Sequence, residues 1–378
     1  MNKKYPLFDI YWDQSDIEMI NKVIKRGSYW ATGPEIIDFE NKLGQYLNKN
    51  YIVTFNSGTS ALHSVLLAHG LTSGEIIVPS FSFISTANCV ILAGSKPVFA
   101  EIEEKTLSLD IEFLKEKINP KTKAIIPVHY GGKVCKDIEA IKEIAEDYNL
   151  YLIEDTAESF GAKMNNKLAG TFGTSGMFSF CQNKIITTGE GGAICTDDEN
   201  IYQKLKLIRS HGRVENKGVD YFSNINEMEY IEVGFNYRMS TFNAAIGIAQ
   251  LSKVNEIIKI RREKGKYYDN NLAKIQGFQI IPELNDSNTV YQLYSIFLNH
   301  PEDRSEMQNY LLNNGIYTKV YFYPIHLKSY YREKFGYKEG DLPITEMISK
   351  KIMTLPMSFG FTQDDQNFII DKLEKFYA

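Results

Sequence analysis

Between about residues 50 and 200, short apolar runs alternate with amphipathic stretches. The runs are rich in β-branched and aromatic residues and end at turn residues, as strands do. They predict seven strands, at YIVTF (51–55), EIIVPS (75–80), KPVFAEI (96–102), AIIPVHY (124–130), YLIEDT (151–156), GMFSF (176–180) and GGAICTD (191–197). Segments between them, such as KDIEAIKEIAEDYNL, repeat apolar residues every three or four positions, which indicates helices packed on a sheet. This alternation predicts an α/β fold with a mostly parallel sheet.

The last two predicted strands differ from the others in their connection. Only ten residues, Cys181 to Glu190, separate GMFSF from GGAICTD. A crossover helix hardly fits into ten residues, so we predict that these two strands pair antiparallel. The connecting segment CQNKIITTGE then forms an exposed loop, and such loops commonly carry catalytic groups.

After about residue 240 the pattern changes. A long helical stretch (242–275) is followed by predicted strands near QIIP (279–282), VYQLYSIFL (290–298) and IYTKVYF (316–322), and by a closing helix (363–378). We interpret this part as a smaller α+β domain. The predicted division is a large domain over 1–250 and a small C-terminal domain over 251–378.

Composition narrows the functional classes. The 378 residues carry a formal net charge of -5, which argues against a general affinity for nucleic acid or for an anionic membrane. The N-terminal segment lacks a signal-peptide core, and no apolar run approaches the roughly 18 residues of a spanning helix. The four cysteines show no zinc-finger spacing and suggest reduced thiols. We therefore expect a cytoplasmic protein without a metal site.

A hydroxyl-rich turn, Ser57-Gly58-Thr59-Ser60, follows the first predicted strand and opens an apolar helix. Backbone N–H groups at a helix N-terminus, together with hydroxyl donors and the helix dipole, can bind a phosphate. By itself, however, such a turn is more often only a helix N-cap.

Two charged residues stand where a sheet of this class binds ligands. Asp155 closes the strand YLIEDT, and a carboxylate there can pair with a pyridinium nitrogen or simply cap a helix. Lys184 lies between a strand and the turn GEGG (189–192), whose glycines allow close backbone approach. A lysine amine can form an imine with an aldehyde and later move a proton.

A fourth segment, GFNYRM (234–239), leads into another apolar helix. Its Asn236 and Arg238 can supply polar contacts to a phosphate or a carboxylate. Alone it is an ordinary entry from a loop into a helix.

Taken in order, these segments resemble the DegT/StrS family of nucleotide-sugar aminotransferases, a branch of the fold-type I enzymes that use pyridoxal phosphate (PLP). NSGTSAL, VPSFSFISTAN, LIEDTAESFGA, FSFCQNKIITTGEGG and GFNYRMSTFNAAIG each match a family block, and the resemblance covers almost the whole chain. It implies an aspartate-aminotransferase-like large domain with a seven-stranded sheet.

The resemblance also implies roles for individual residues. It makes Lys184 the residue that holds PLP as a Schiff base and Asp155 the partner of the pyridine nitrogen. Phe83 would stack on the cofactor ring. The phosphate would be held by Gly58, Thr59 and Ser179, with Asn236 reaching in from a second subunit. A homodimer with shared active sites follows from that last assignment.

Glu158 departs from the pattern of many members, which carry Gln or His at this position near the ring oxygen of the cofactor. Together with NKIITTGEGG it resembles the perosamine synthases, which act on a GDP-linked 4-keto-6-deoxymannose. The related sugar 3-dehydratases carry His at the lysine position, whereas this chain has Lys184.

The resemblance therefore implies transfer of an amino group, from L-glutamate, to the 4-keto carbon of a nucleotide-linked sugar. Such amino sugars commonly enter surface polysaccharides or glycosylated natural products. The alternatives are a 3-keto sugar or a cyclitol ketone as acceptor. A protein that binds PLP or a nucleotide sugar without turnover is an alternative of another class. The presence of Lys184 and Asp155 argues against this alternative.

Overall fold

The computed structural model describes residues 3–214 and 228–377. Its strands, in chain order, are β1 Tyr51–Phe55, β2 Glu75–Pro79, β3 Lys96–Ala100, β4 Thr122–Ile125, β5 Tyr151–Asp155, β6 Lys163–Met164, β7 Lys167–Leu168, β8 Ser175–Ser179, β9 Gly192–Thr196, β10 Phe278–Ile280, β11 Ser287–Asn288, β12 Tyr294–Leu298 and β13 Ile352–Leu355. Its helices are α1 Gln14–Arg26, α2 Pro34–Leu47, α3 Gly58–Ala68, α4 Ser85–Ala93, α5 Ile111–Lys117, α6 Ile138–Asp147, α7 Glu199–Arg209, α8 Thr241–Ser252, α9 Val254–Leu272, α10 Asp303–Asn313, α11 Ser329–Phe335, α12 Pro343–Lys351 and α13 Gln363–Tyr377. Across these two described ranges, none of the helices combines the length and the apolar character needed to cross a membrane.

The large sheet has seven strands in the order β1-β9-β8-β5-β4-β2-β3. The pairs from β8 through β5, β4 and β2 to β3 are parallel. Strand β9 runs antiparallel to both β8 and β1. All seven predicted strands are therefore present, although β4 ends at Ile125 and not at Tyr130 as predicted. The antiparallel pairing predicted for GMFSF and GGAICTD is confirmed.

Both faces of this sheet are covered, and neighbouring residues of a strand pack into hydrophobic cores on opposite faces. Leu152 of β5 packs in one core with Ile141 of α6. The next residue, Ile153, packs in the other core with Leu62 of α3. Each of these fully buried aliphatic side chains contributes about 1.5–3 kcal/mol relative to its exposed state. The continuous apolar runs of the sequence are explained by burial on both sides.

The C-terminal part contains a three-stranded antiparallel sheet, β10-β12-β13. Helices α9, α10 and α13 share a core with it, in which Tyr268, Met307 and Ile369 are fully buried. An α+β arrangement follows the last strand of the large sheet, as the pattern predicts. The division at residue 250 stays a prediction.

The strand predicted over 316–322 is wrong. This segment makes only isolated bridges, from Ile316 to Tyr5 and from Lys319 to Thr354. Beyond Lys319 the chain leaves the sheet, and the ring of Phe322 packs against that of Tyr130. The third strand of the small sheet is β13 instead, which follows α12 without a turn.

The stretch 242–275 is helical as predicted, but it forms two helices, α8 and α9, separated at Lys253. The side chain of Lys253 is buried against carboxylates of Asp13 and Asp16 at the start of α1. This contact ties the N-terminal helix to the junction of α8 and α9.

A third, small sheet joins the two parts of the chain. Strands β6 and β7 form a hairpin whose turn residues Asn165 and Asn166 have φ of 49° and 62°, the left-handed values that a tight hairpin turn requires. Strand β11 pairs with β6. The C-terminal part is thereby attached close to the carboxyl end of β5.

Candidate active site

The carboxyl ends of β1, β5 and β8 meet at one edge of the large sheet, because β1 and β8 both run antiparallel to the β9 strand between them. Asp155 ends β5 and Ser179 ends β8. Gly58 begins α3 directly after β1. The turn with Lys184 follows β8 at the same edge, so the main sequence-predicted site residues are brought together.

Asp155 is buried, with 4% of its surface exposed. One carboxylate oxygen, Oδ2, accepts a hydrogen bond of 2.8 Å from the hydroxyl of Thr86. The other, Oδ1, accepts one of 3.1 Å from the backbone N–H of Ala157. Burial raises the pKa of Asp155, and the Thr86 hydroxyl and the Lys184 charge oppose that rise. A cation bound beside this carboxylate would offset the free-energy cost of burying its negative charge.

Lys184 faces a second buried carboxyl group. Its Nζ lies 3.8 Å from Oε1 of Glu158, and the two side chains are 14% and 7% exposed. The other oxygen of Glu158 accepts a hydrogen bond of 3.0 Å from the backbone N–H of Gly131. Burial raises the pKa of Glu158, whereas the charge of Lys184 lowers it. The amine of Lys184 therefore lies beside a carboxyl group whose pKa depends on its burial and on the charges around it.

The turn that carries Lys184 is held from two sides. The backbone N–H of Lys184 donates a hydrogen bond of 3.0 Å to the carbonyl of Cys181. The amide of Gln292, buried in the C-terminal part of the chain, donates to the carbonyl of Asn183. Both bonds restrict the backbone on which the lysine stands.

The start of α3 and the end of β8 are in close contact. A Cβ at Gly58 would lie 2.9 Å from the Cβ of Ser179, which no larger residue tolerates without a shift. Ser57 caps the helix by accepting a 3.0 Å hydrogen bond from the N–H of Ser60. Thr59 is exposed at the same helix end. Amide and hydroxyl donors therefore converge at this N-terminus.

Phe83 and Asn236 lie at the margin of this arrangement. Phe83 is 59% exposed, and its ring centroid is 6.5 Å from that of Phe322. The side chain of Asn236 is exposed, while its backbone forms a bridge to Ser210 of the same chain. The described contacts do not join Asn236 to Lys184.

Three residues of the site escaped the sequence prediction. The hydroxyl of Thr86 contacts Asp155, the amide of Gly131 contacts Glu158, and Gln292 contacts the lysine turn. Tyr321 is a fourth neighbour, since burial and then the charge of Glu158 raise the pKa of its phenol. Thr86 lies in VPSFSFISTAN, which matches a family block, but no local signal in the sequence assigns Thr86 or Gly131 a contact.

The residues present fit pyridoxal phosphate. Its aldehyde, ring nitrogen and phosphate require an amine, a carboxylate and a set of N–H and O–H donors. Lys184 offers the amine and buried Asp155 the carboxylate at one sheet edge. The contact between Gly58 and Ser179 brings the donor set to the same edge.

Comparison with known proteins identifies the family of the chain. The pattern of the DegT/DnrJ/EryC1/StrS aminotransferase family matches residues 11–374. The chain is 34% identical to the GDP-perosamine synthase of Vibrio cholerae over 98% of this chain and 99% of that one. It is 35% identical to the GDP-perosamine synthase of Caulobacter vibrioides over 91% of each chain.

A solved structure shows the same fold. PseC of Helicobacter pylori, an aminotransferase involved in the biosynthesis of pseudoaminic acid, superposes with a TM-score of 0.92 over 99% of each chain at 28% identity. The aspartate-aminotransferase-like fold expected from the sequence is thereby confirmed. The family uses pyridoxal phosphate as its cofactor and comprises sugar aminotransferases. The chain belongs to the DegT/DnrJ/EryC1/StrS aminotransferase family.

Proposed function

We propose that the chain transfers the amino group of L-glutamate to the 4-keto carbon of a nucleotide-linked 4-keto-6-deoxyhexose. The observation that carries this proposal is the amine of Lys184, held 3.8 Å from Glu158 beside buried Asp155. The GDP-perosamine synthases of three bacteria, at 33–35% identity, support a GDP-linked sugar. A spore coat polysaccharide biosynthesis protein of Bacillus subtilis, 33% identical, supports a role in polysaccharide formation.

Lys184 performs the proton transfers in this proposal. When bound, PLP supplies an aldehyde that condenses with amines and a ring that accepts electrons. Lys184 would hold the cofactor through its Nζ, which, once free, would take the proton from the α-carbon of glutamate and pass it to the cofactor carbon that receives the amino group. In the second half-reaction the same nitrogen would take the proton back from that carbon and deliver it to C4 of the sugar.

Asp155 and Glu158 set the charges around the reacting amine. Asp155 pairs with the ring nitrogen, whose positive charge compensates the burial that raises the pKa of this carboxyl group. Glu158 stands where many members have Gln or His. Burial raises the pKa of Glu158, and in its protonated form this carboxyl group can donate a hydrogen bond to an oxygen as an amide does.

The phosphate and the second subunit complete the proposed site. Gly58, Thr59 and Ser179 bind the phosphate at the N-terminus of α3. Phe83, an exposed ring, stacks on the cofactor. Asn236 reaches into the site of the partner subunit of a homodimer.

Replacement of Lys184 tests the mechanism. We expect Lys184→Ala to lose transamination by a factor of about 10⁴ or more, since both proton transfers and the covalent attachment are lost. Borohydride reduction of the wild-type holoenzyme should fix the cofactor on the peptide that contains Lys184, as read by mass spectrometry. Lys115→Ala, an exposed lysine paired with Glu112, is the matched control. Undiminished transamination by Lys184→Ala would exclude the mechanism.

A substrate panel tests the finer assignment. The wild-type enzyme is first converted with L-glutamate and then offered GDP-, dTDP- and UDP-linked 4-keto-6-deoxyhexoses, a 3-keto sugar and a cyclitol ketone. We expect the highest kcat/KM for a 4-keto sugar. Preference for the 3-keto sugar or the cyclitol would replace the 4-keto assignment and leave Lys184 in its role.

A further inference from the structure

A fully buried carboxylate outside the proposed chemistry lies next to Asp155 in β5. Glu154 is 0% exposed and, as its strand neighbour, points to the opposite face of the sheet. Its Oε1 accepts hydrogen bonds of 2.6 Å from the backbone N–H groups of Phe172 and Gly173. Its Oε2 accepts one of 2.8 Å from the N–H of Gly170 and lies 2.7 Å from Nε2 of His129. Four nitrogens thus surround one carboxylate.

The geometry fixes the tautomer of His129. The backbone N–H of Cys135 lies 2.9 Å from Nδ1 of His129, and a backbone N–H can only donate. Nδ1 is therefore the acceptor, and Nε2 carries the proton that it donates to Glu154. His129 is fully buried, so both of its nitrogens are satisfied within the protein.

The main chain of His129 leads directly to the site. Its N–H donates to the carbonyl of Asp155 at 3.0 Å, and its carbonyl accepts a hydrogen bond of 2.5 Å from the hydroxyl of Ser159. Two residues later, the N–H of Gly131 donates to Glu158. The φ of Gly131 is 63°, a left-handed value that suits glycine. The chain of contacts therefore runs from Glu154 through His129 and Gly131 to Glu158 and Lys184.

We propose that Glu154 and His129 are positioning residues, which hold the amide of Gly131 on Glu158 and so fix the carboxyl group that faces Lys184. The inference rests on the roles proposed for Lys184 and Glu158. It assigns a reaction-related task to a pair that is fully buried and takes no part in the proposed chemistry. A purely structural pair would stabilise the fold without affecting the protonation of Glu158.

The protonation of Glu158 depends on all groups that face it. Lys184 favours its charged form, and Asp155 disfavours it. The phenols of Tyr130 and Tyr321 lie near enough for the charge of Glu158 to raise their pKa values. Against this background the N–H of Gly131 favours the charged carboxylate. Displacing this amide should raise the pKa of Glu158.

Two substitutions at His129 separate the contacts. His129→Gln can still donate to Glu154, whereas His129→Asn keeps an acceptor for the Cys135 amide but no longer reaches Glu154. The test measures the pH dependence of the absorbance of the bound cofactor and of kcat/KM in each holoenzyme. We expect His129→Asn to move the midpoint assigned to Glu158 upward by about one pH unit, since a hydrogen bond to the charged form is lost. His129→Gln should stay close to wild type.

Controls separate this effect from a loss of stability. His326→Asn removes another fully buried histidine, which bonds Ser80 and Glu346, and should lower the melting temperature without moving the midpoint. In a Glu158→Gln background the shift from His129→Asn should vanish. An unchanged midpoint in His129→Asn, with a melting temperature lowered as in the control, would overturn the inference. Undiminished transamination by Lys184→Ala would instead overturn the proposed function.

Discussion

At the scale of single residues, the hydrogen bond from Thr86 to Asp155 gives a direct test of the cofactor site. Thr86→Val keeps the shape but removes the hydroxyl that favours the charged carboxylate. Burial already raises the pKa of Asp155, and the loss should raise it further. The charged form is lost as the pH falls through this pKa, so the acid limb of activity should move to higher pH.

The same variant should bind PLP at least about 10-fold more weakly, because a hydrogen bond to a charged group contributes about 1.5–3 kcal/mol. Isothermal titration of the cofactor-free protein measures this loss. Ser82→Ala is the matched control, since the Ser82 hydroxyl bonds that of Thr86 but not Asp155. Equal affinities of Thr86→Val and wild type would contradict the pairing of Asp155 with the ring nitrogen.

Glu158→Gln replaces the carboxyl group that faces Lys184 by an amide of nearly the same shape. Burial raises the pKa of Glu158, so the group is neutral below that value and charged above it, whereas glutamine cannot ionise. We expect kcat/KM to remain within about 10-fold of wild type while the pH limb due to Glu158 disappears. Glu158→Asp should retain such a limb. If the limb persists in Glu158→Gln, another group is responsible for it.

Some of these residues could be predicted from the sequence and others could not. Lys184 and Asp155 lie in contiguous motifs whose order is informative. Thr86 and Asp155, in contrast, are 69 positions apart, and Gly131 and Glu158 are 27 apart. Their contacts depend on how strands are ordered in the sheet, which no local pattern encodes.

At the scale of secondary structure, burial decided which predictions were correct. The seven strands of the large sheet are buried on both faces and therefore appear as continuous apolar runs. The run 316–322 is equally rich in β-branched and aromatic residues, yet Tyr321 and Phe322 pack beside the site instead of continuing a ladder. Strand β13 has only four residues, and it was missed because no turn residue separates it from α12.

The junction between α3 and β8 yields a prediction about an element boundary. In Gly58→Ala the new Cβ would meet Ser179, so the helix end must move away from the strand. We expect a loss of stability of about 1–3 kcal/mol and weaker PLP binding. Adding Ser179→Gly should restore the melting temperature but not the affinity, because the hydroxyl of Ser179 is then missing. Cofactor affinity equal to wild type in Gly58→Ala would exclude this helix end as the phosphate site.

At the scale of the whole molecule, the exposed apolar side chains suggest an interface. Trp12 and Ile37 are each 64% exposed, and Trp30 stacks edge-on against Phe242 near the same N-terminal helices. Aromatic side chains such as those of the two tryptophans are enriched in protein interfaces. They support the predicted homodimer. Sedimentation analysis of the wild-type protein would measure the mass of this dimer.

Subunit complementation tests whether that dimer shares its sites. If Asn236 serves the partner's site, a dimer of one Lys184→Ala and one Asn236→Ala subunit has one site with both residues intact. Co-expression in equal amounts makes half of the dimers mixed, so about a quarter of the wild-type activity should return, although each variant alone is nearly inactive. The matched control combines Lys184→Ala with Asp155→Asn, because these residues belong to the same site and no mixed dimer restores it. Recovery only in the first mixture would establish that Asn236 acts across the interface. No recovery in either mixture would assign Asn236 to the site of its own subunit, where its backbone pairs with Ser210.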